Sequence, residues 1–576
     1  MILIKDHKQT ELFDPWRFLS PKRRDLLDKT WPGLFKNIIL PELPVSRIFP
    51  FFSEGYGRPT KELYTVLGVL VLQQTLDLTD EETCSQLTYN IQWHYALNIT
   101  EESDSAKYMC PKTLWTMRSI LVDNVLDGVV FECVTKKLAD VFKVDLNNQR
   151  IDSVHIKSNM RRLGRIGIFV SGINKFIKNL KRQNKDLFES IHADLIDRYL
   201  PEKSLQCFSM VKPSLASKTL SMVSNDLFDL VMQFKSHSEV TVMHSYKQLE
   251  QILNEQCNVE PANGGSGVQV KPPKEIPSSS LQNPSDPDAS YSGHKGQGYQ
   301  VQIMETYAAT DDKEVREKSL NLITHVQVEP AHESDANALL PAVASAKERD
   351  LAPKEILADS LYGSDDNCQK TKRAGVEIVS PTMGEKKETI LCLSEFETSA
   401  SGKILACPQG LAPETVKKKK TRHTAAFDSL HCSGCPNQAH CPVKKGKKHY
   451  YLRYTEKEMR IAKRRAYEQT DEFKDRYRWR SGVEATMSEY DRRTGVKQLR
   501  VRGFDSVRFC ATLKAAGINI LRAVAVWIAL NPESNSNKPG RLDLNHAFLV
   551  FKERLLRKWR HLKNEFSSRH RYRTYA

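Results

Sequence analysis

The sequence predicts a mixed α/β core with a sheet at its centre, preceded by an all-helical N-terminal region, and three observations carry that prediction. Apolar residues recur at helical spacing through roughly residues 20–140. Strand-like stretches then appear near 150–155 and 299–304, where Tyr299, Val301 and Ile303 alternate with Gln300, Gln302 and Met304. Beyond them, several strands, a helix and two further strands follow one another, the order expected when helices pack on a mixed sheet.

Each element has its own signal. Leu63, Val66, Leu67 and Leu70 share a helical face; Thr79 followed by Glu82 has the form of a capping box, and Pro111 suits the first position of a helix. Val144–Leu146 and Arg150–His155 read as short strands joined by a hairpin turn at Asn147-Asn148. Helical periodicity returns with Ile166, Val170, Ile173, Phe176, Ile177 and Leu180, and again over 226–234 and 245–253. Gly264, Gly265, Gly267, Pro272, Pro273 and Pro284 mark 258–290 as a flexible linker or exposed loop. Strands are expected at 322–328, at 355–358 running into Asp359, and at 376–380, with a helix over 335–347. Cysteines and lysines interrupt the core over 381–455, and helices resume over 456–490 and 506–530. The expected divisions are a helical N-terminal domain at 1–140 for DNA binding or dimerisation, the first core strands at 141–160, a helical insertion and linker at 161–292, the core continued at 293–380, the Cys/Lys-rich insertion at 381–455, core helices at 456–535 and a basic tail at 536–576.

Composition narrows the function. At 576 residues and 40% apolar content the chain has core enough for several domains, which excludes a small disulfide-stapled module. Lys+Arg 86 against Asp+Glu 70 leaves +16, with pI ≈ 9.1, an excess that favours a polyanionic partner, nucleic acid first. The most apolar stretch, Ile518–Leu530, is interrupted by Arg522, so no membrane span is expected. The N-terminal residues lack the basic start and apolar core of a secretion signal, so the twelve cysteines are expected as reduced thiols or metal ligands. Basic runs at Lys417–Lys420, at Lys444, Lys445, Lys447 and Lys448, at Arg460–Arg465, and from Arg554 to Arg573 are expected to meet phosphate.

Three carboxylates stand out. Asp152 ends one expected strand and Asp359 another, and a carboxylate at a strand tip is held rigidly toward a cleft, as hard cations such as Mg²⁺ require. Glu484 lies on a helix at the border of the stripe Trp479, Val483, Thr486 and Tyr490. Such a trio could hold two cations about 4 Å apart, the arrangement used in phosphodiester cleavage. A strand-end aspartate is also an ordinary solvated turn or helix cap, and both readings stand at this level.

The ordered series Asp152-Ser-Val-His with Arg161-Arg162-Leu163-Gly164-Arg165, Gly293-His294-Lys295 with Gly298-Tyr299, Ala358-Asp359-Ser360-Leu-Tyr362-Gly363, and Arg480-Ser-Gly-Val-Glu484 closing at Arg500-Val-Arg-Gly503 resembles the bacterial insertion-sequence DDE transposases. Gly57-Arg58-Pro59, Leu72-Gln73 and Trp93–Leu97 are similar to the helical N-terminal domain of that group. The resemblance implies an RNase H-like core interrupted by two insertions, which cuts and joins the ends of a mobile DNA element with Mg²⁺ or Mn²⁺. It implies Asp152, Asp359 and Glu484 as the metal-binding acids, and a homodimer holding double-stranded element ends and target in a synaptic complex at the bacterial nucleoid, in the cytoplasm. Tyr477-x2-Arg480-x3-Glu484 matches the tyrosine–arginine–glutamate signature of related enzymes, which makes Tyr477 and Arg480 expected DNA contacts. The lysine expected seven residues after the glutamate is replaced by Asp491, leaving Arg492 or Lys497 to carry the basic role. A decayed DNA-binding relative and a stand-alone metal-dependent nuclease are the alternatives.

Cys407, Cys432, Cys435 and Cys441, each beside a turn-forming residue, offer four soft ligands suited to one structural Zn²⁺. An iron–sulfur cluster on the same ligands and a set of plain thiols are the other readings.

Overall fold

The computed structural model describes residues 2–9, 14–53, 59–201, 208, 211–259, 267–384, 391–399 and 401–531. The described residues up to Val524 form one compact unit. The basic tail from 536 onward, with Arg554, Arg557, Lys558 and Arg560, and the Gly57-Arg58 pair lie outside the described residues.

The N-terminal region is helical because its local signals agree. In the helix Leu63–Thr75 only Tyr64 escapes full burial, so it serves as a central rod against which Asp80–Tyr89 and Pro111–Asp123 pack. Its sequence is apolar all round, as a buried helix requires. The Thr79 hydroxyl accepts from the Glu82 N–H at 3.2 Å while the Glu82 carboxylate accepts from the Thr79 N–H at 2.8 Å, the reciprocal pair that the spacing predicts.

Six strands form the central sheet: β1 (Asn148–Lys157), β2 (Ser290–Ser292), β3 (Gly296–Thr306), β4 (Ile323–Pro330), β5 (Glu355–Leu357) and β6 (Glu377–Val379). β3 lies between β1 and the pair β2 and β4, antiparallel to all three, whereas β5 and β6 continue the sheet parallel to β1. One face packs Ile151 and Met304 against Ala338, Leu339, Ala342 and Val343 of the helix Asp335–Glu348. Gly298, with φ of +150°, sits opposite Lys157 so closely that a Cβ would fall 2.0 Å from the Ile156 carbonyl oxygen.

Two expectations fail here. The Asn147-Asn148 hairpin does not form; the Asp145 carboxylate accepts from the Asn147 N–H at 3.0 Å, and the chain enters a single ten-residue strand. Asp152 is therefore mid-strand rather than at a tip, because β3 pairs with β1 along its whole length while β5 pairs only with Asn148–Arg150. The described residues of the expected linker are also pinned. Val268–Val270 pairs with Cys257–Val259, and buried Asp286 accepts from the Ser158 hydroxyl at 2.5 Å, the Tyr299 hydroxyl at 2.6 Å and the Gly503 N–H at 3.0 Å. Glycine and proline set turns there, and long-range hydrogen bonds hold them.

Two segments outside the central sheet carry their own cores. Helices Arg165–Gln183, Ala216–Phe234 and His244–Gln256 bury Ile173, Phe176, Leu227, Leu230, Tyr246 and Leu249 together. The second is a four-stranded antiparallel sheet, Thr415–Lys419, Arg422–Phe427, Tyr450–Thr455 and Lys444–Lys445, whose inner face buries Ala425, Phe427, Leu452 and Tyr454. The helix Phe504–Leu530 is long and apolar enough by length and composition to cross a membrane. Its cations are satisfied inside the protein: Lys514 pairs with Asp77 at 2.8 Å and Arg522 with Glu305 at 2.8 Å.

Candidate active site

Register brings the two aspartates level. Arg150 is the parallel partner of Leu357, so Asp152 lies two residues on within β1 and Asp359 two residues past the end of β5, at the same end of neighbouring strands about 4.8 Å apart. Each carboxylate accepts the N–H of the residue that follows it, Ser153 at 2.8 Å and Ser360, which turns both side chains in the same local manner. Glu484 reaches this edge from the first turn of the helix Gly482–Thr494, with its side chain 70% exposed.

Arg480 joins them. Its guanidinium donates to Asp152 Oδ2 at 2.9 Å and to Glu484 Oε1 at 3.2 Å, while its buried Nε has no hydrogen-bond partner among the described residues. Burial pushes the Asp152 carboxyl above its ordinary range, against the pull of the Ser153 N–H and Arg480; Asp335 and Asp359 add to the push. Burial also raises the Tyr477 hydroxyl, with Arg480 opposing and Asp359 and Asp152 adding, and the Tyr477 ring stacks on Phe473 with centroids 5.3 Å apart. The three acids, Arg480 and Tyr477 therefore share one electrostatic neighbourhood. Among the described residues no three His, Cys, Asp or Glu side chains stand close enough to close on a metal ion, and at the acid cluster a guanidinium lies between two of the carboxylates.

The other expected basic residues lie further along the helix. Arg492 is exposed in the last turn, about 12 Å of helical rise from Glu484. Lys497 turns to Asp491 at 3.9 Å, and the Asp491 carboxylate also accepts the Lys497 N–H at 3.2 Å. Asp491, at the place expected for lysine, thus ties down the turn that ends this helix.

Sequence reasoning missed a group behind the aspartates. The Lys295 ammonium donates to Ser153 Oγ at 2.9 Å and Gln300 Oε1 at 3.2 Å and lies 3.5 Å from Asp335, which accepts from Gln302 at 2.9 Å; Tyr362 donates to Gln302 at 2.6 Å. Lys295 and Tyr362 stand in the segments that carry the resemblance, but only the β1–β3 pairing makes them neighbours of Asp152.

The four cysteines converge on one cavity, lined also by Leu391, Phe427, Val443 and Tyr450. All four are free thiols, and burial followed by the proximity of Cys441, Cys407 and Cys435 pushes Cys432 up to about 11.

The insertion sheet sorts its charges by face. Pairing places Lys417, Lys419, Arg422, Arg453 and Lys444 on the outer face, all exposed and with no acidic residue among the paired positions there. Lys418 alternates to the opposite side and pairs with Glu456 at 2.5 Å.

Comparison with known proteins adds the family. Residues 406–524, which include Glu484, match the transposase DDE domain family, and residues 34–119 match a transposase domain family, DUF772. No curated protein matches the chain. Among solved structures it is similar to a piggyBac transposase synaptic complex with hairpin DNA, at 9% identity and a TM-score of 0.25, covering 94% of this chain and 85% of that one, too slight a likeness to argue from. A transposase domain match in the helical N-terminal region and a transposase DDE domain match around Glu484 support an insertion-sequence DDE transposase that acts on DNA.

Proposed function

We propose that DNA cleavage and strand transfer take place at Asp152, Asp359 and Glu484, on an RNase H-like core. The observation that carries this reading is that Arg480 bridges Asp152 and Glu484 while Asp359 lies close enough to raise the Asp152 carboxyl. Three carboxylates are an all-oxygen donor set, which suits Mg²⁺ or Mn²⁺. Such ions, when bound, would activate the attacking oxygen and stabilise the leaving 3′ oxygen. The chain's own residues do the rest. Asp152 is held within β1, Asp359 follows closely on the end of β5, and the N–H groups of Ser153 and Ser360 fix their carboxylates, so their oxygens lose little freedom on binding a cation. Arg480, already between two of the acids and with an unpartnered Nε, is placed to take a phosphate oxygen of the DNA, and Tyr477 packs beside it. Arg492 and Lys497 would contact the duplex further out along the same helix end.

Asp152→Asn, Asp359→Asn and Glu484→Gln should each abolish metal-dependent cleavage of element-end DNA while leaving binding within about twofold, since phosphate contacts are made elsewhere. Cleavage retained by any one variant removes that residue from the site. Cleavage without end joining would mark a nuclease instead.

Cys407, Cys432, Cys435 and Cys441 would hold one structural Zn²⁺; the soft-ligand set and the shared cavity support this. Two element ends handled together call for at least a dimer. The positive charge and the free thiols suit work on chromosomal DNA in a reducing bacterial cytoplasm.

A further inference from the structure

A carboxylate that takes no part in the acid cluster lies fully buried beneath it. Glu305, on β3, has no exposed surface, yet it is ringed by donors from three other elements. Arg150 Nε of β1 donates to it at 2.7 Å, Arg522 Nη1 at 2.8 Å, and the Thr486 hydroxyl sits 2.8 Å from each of its oxygens. The donors are themselves tied on. Arg150 Nη1 donates to the Trp479 carbonyl at 2.7 Å, one residue before Arg480, and Arg522 donates to Thr486 Oγ1 at 2.7 Å and Glu489 at 2.9 Å.

These bonds connect the pieces that carry the acids. Arg150 lies two residues before Asp152 on the same face of β1, and Thr486 two residues after Glu484 on its helix. The crossing is tight: a Cβ on Gly482 would lie 2.1 Å from Arg150 Nη1, so only glycine lets the helix start this close to the guanidinium. A buried charge with one partner missing is strongly unfavourable, so the network is occupied in full or rearranged.

We propose that Glu305 is a positioning residue: with Arg150, Thr486 and Arg522 it sets the Glu484 helix at a defined distance and angle from the Asp152 strand. The proposal rests on reading Asp152 and Glu484 as the acids that bind the catalytic cation. It acts through a buried carboxylate that never meets substrate.

The test uses the full-length protein and Mn²⁺ as probe, read as free Mn²⁺ by electron paramagnetic resonance, with cleavage measured in parallel. Glu305→Ala risks unfolding, so the informative pair is Thr486→Val, which keeps the shape and loses the donor, and Thr486→Ser, which keeps the donor. Thr486→Val should weaken Mn²⁺ binding and raise the Mn²⁺ needed for half-maximal cleavage about tenfold, the lower end of the effect of losing an outer-shell partner. DNA affinity should stay unchanged while the melting temperature falls modestly, since Glu305 and Arg522 each lose one buried partner, and Thr486→Ser should restore both Mn²⁺ binding and melting to wild type. Gly482→Ala, which displaces Arg150, should reproduce the Thr486→Val defect. Asp152→Asn separates the two readings. If it abolishes Mn²⁺ binding while Thr486→Val and Gly482→Ala bind as wild type, the positioning role is refuted and the acid cluster stands. If it binds Mn²⁺ as wild type, the acid assignment fails first and the proposal with it.

Discussion

The outer face of the insertion sheet makes the sharpest prediction, because register assigns neighbouring lysines opposite roles. Lys417, Lys419, Arg422, Arg453 and Lys444 point outward together, whereas Lys418, in the middle of the same run, is turned to Glu456. If the outward five neutralise phosphates at about 0.9 unit of slope each, they carry up to about 4.5 units of the dependence of log K on log salt. Over a fourfold rise in salt, from about 50 to 200 mM, wild-type binding should then fall about 500-fold more than binding by the variant with all five changed to glutamine. Anisotropy titrations with element-end and random duplexes at four or five salt concentrations measure both slopes directly. The five substitutions should flatten the two duplexes alike, since phosphates carry no base identity. Lys418→Gln should leave the slope unchanged. A five-fold variant with the wild-type slope, or a Lys418→Gln slope changed by a full unit, would refute the assignment of the face.

Metal analysis of purified protein should find about one zinc per chain, falling to a small fraction of that in Cys432→Ser; neither zinc nor iron would leave the cluster as plain thiols. His325 is buried, and burial with Arg349 beside it pulls its pKa down to about 3. Its unfolded form takes a proton near pH 6.5 and its folded form does not. Stability should therefore be lost as pH falls from about 6.5 toward 3, with His325 contributing up to about 1.4 kcal/mol per pH unit. Urea midpoints at several pH values, compared with His325→Gln, check this, and parallel profiles would count against it. Thr79→Ala should cost about 1 kcal/mol by removing the cap of Asp80–Tyr89, read as a lowered urea midpoint.

Local signals were legible in the sequence because their causes lie within a few residues. The Thr79 and Glu82 cap, the helix opened by Pro111 and the strand alternation of 299–304 each follow from neighbours along the chain, and each is present. The transposase identity was legible from ordered motifs, and the matched segments 34–119 and 406–524 bear it out, although Asp152 and Asp359 lie outside both. The Asn147-Asn148 hairpin failed because an Asn pair permits a turn without requiring one, and β1 found a longer partner in β3. In the described part of turn-rich 258–290, composition reports backbone freedom, whereas Asp286 bonds to Tyr299 and Gly503, residues distant in sequence. Arg480 between Asp152 and Glu484, the level pair of aspartates, the buried Glu305 and the outward set of insertion cations were decided only by tertiary structure. Each depends on strand register or on a crossing of elements hundreds of residues apart, and a one-residue slip in register would have turned the strand residues Asp152, Glu305 and the insertion cations to the other face.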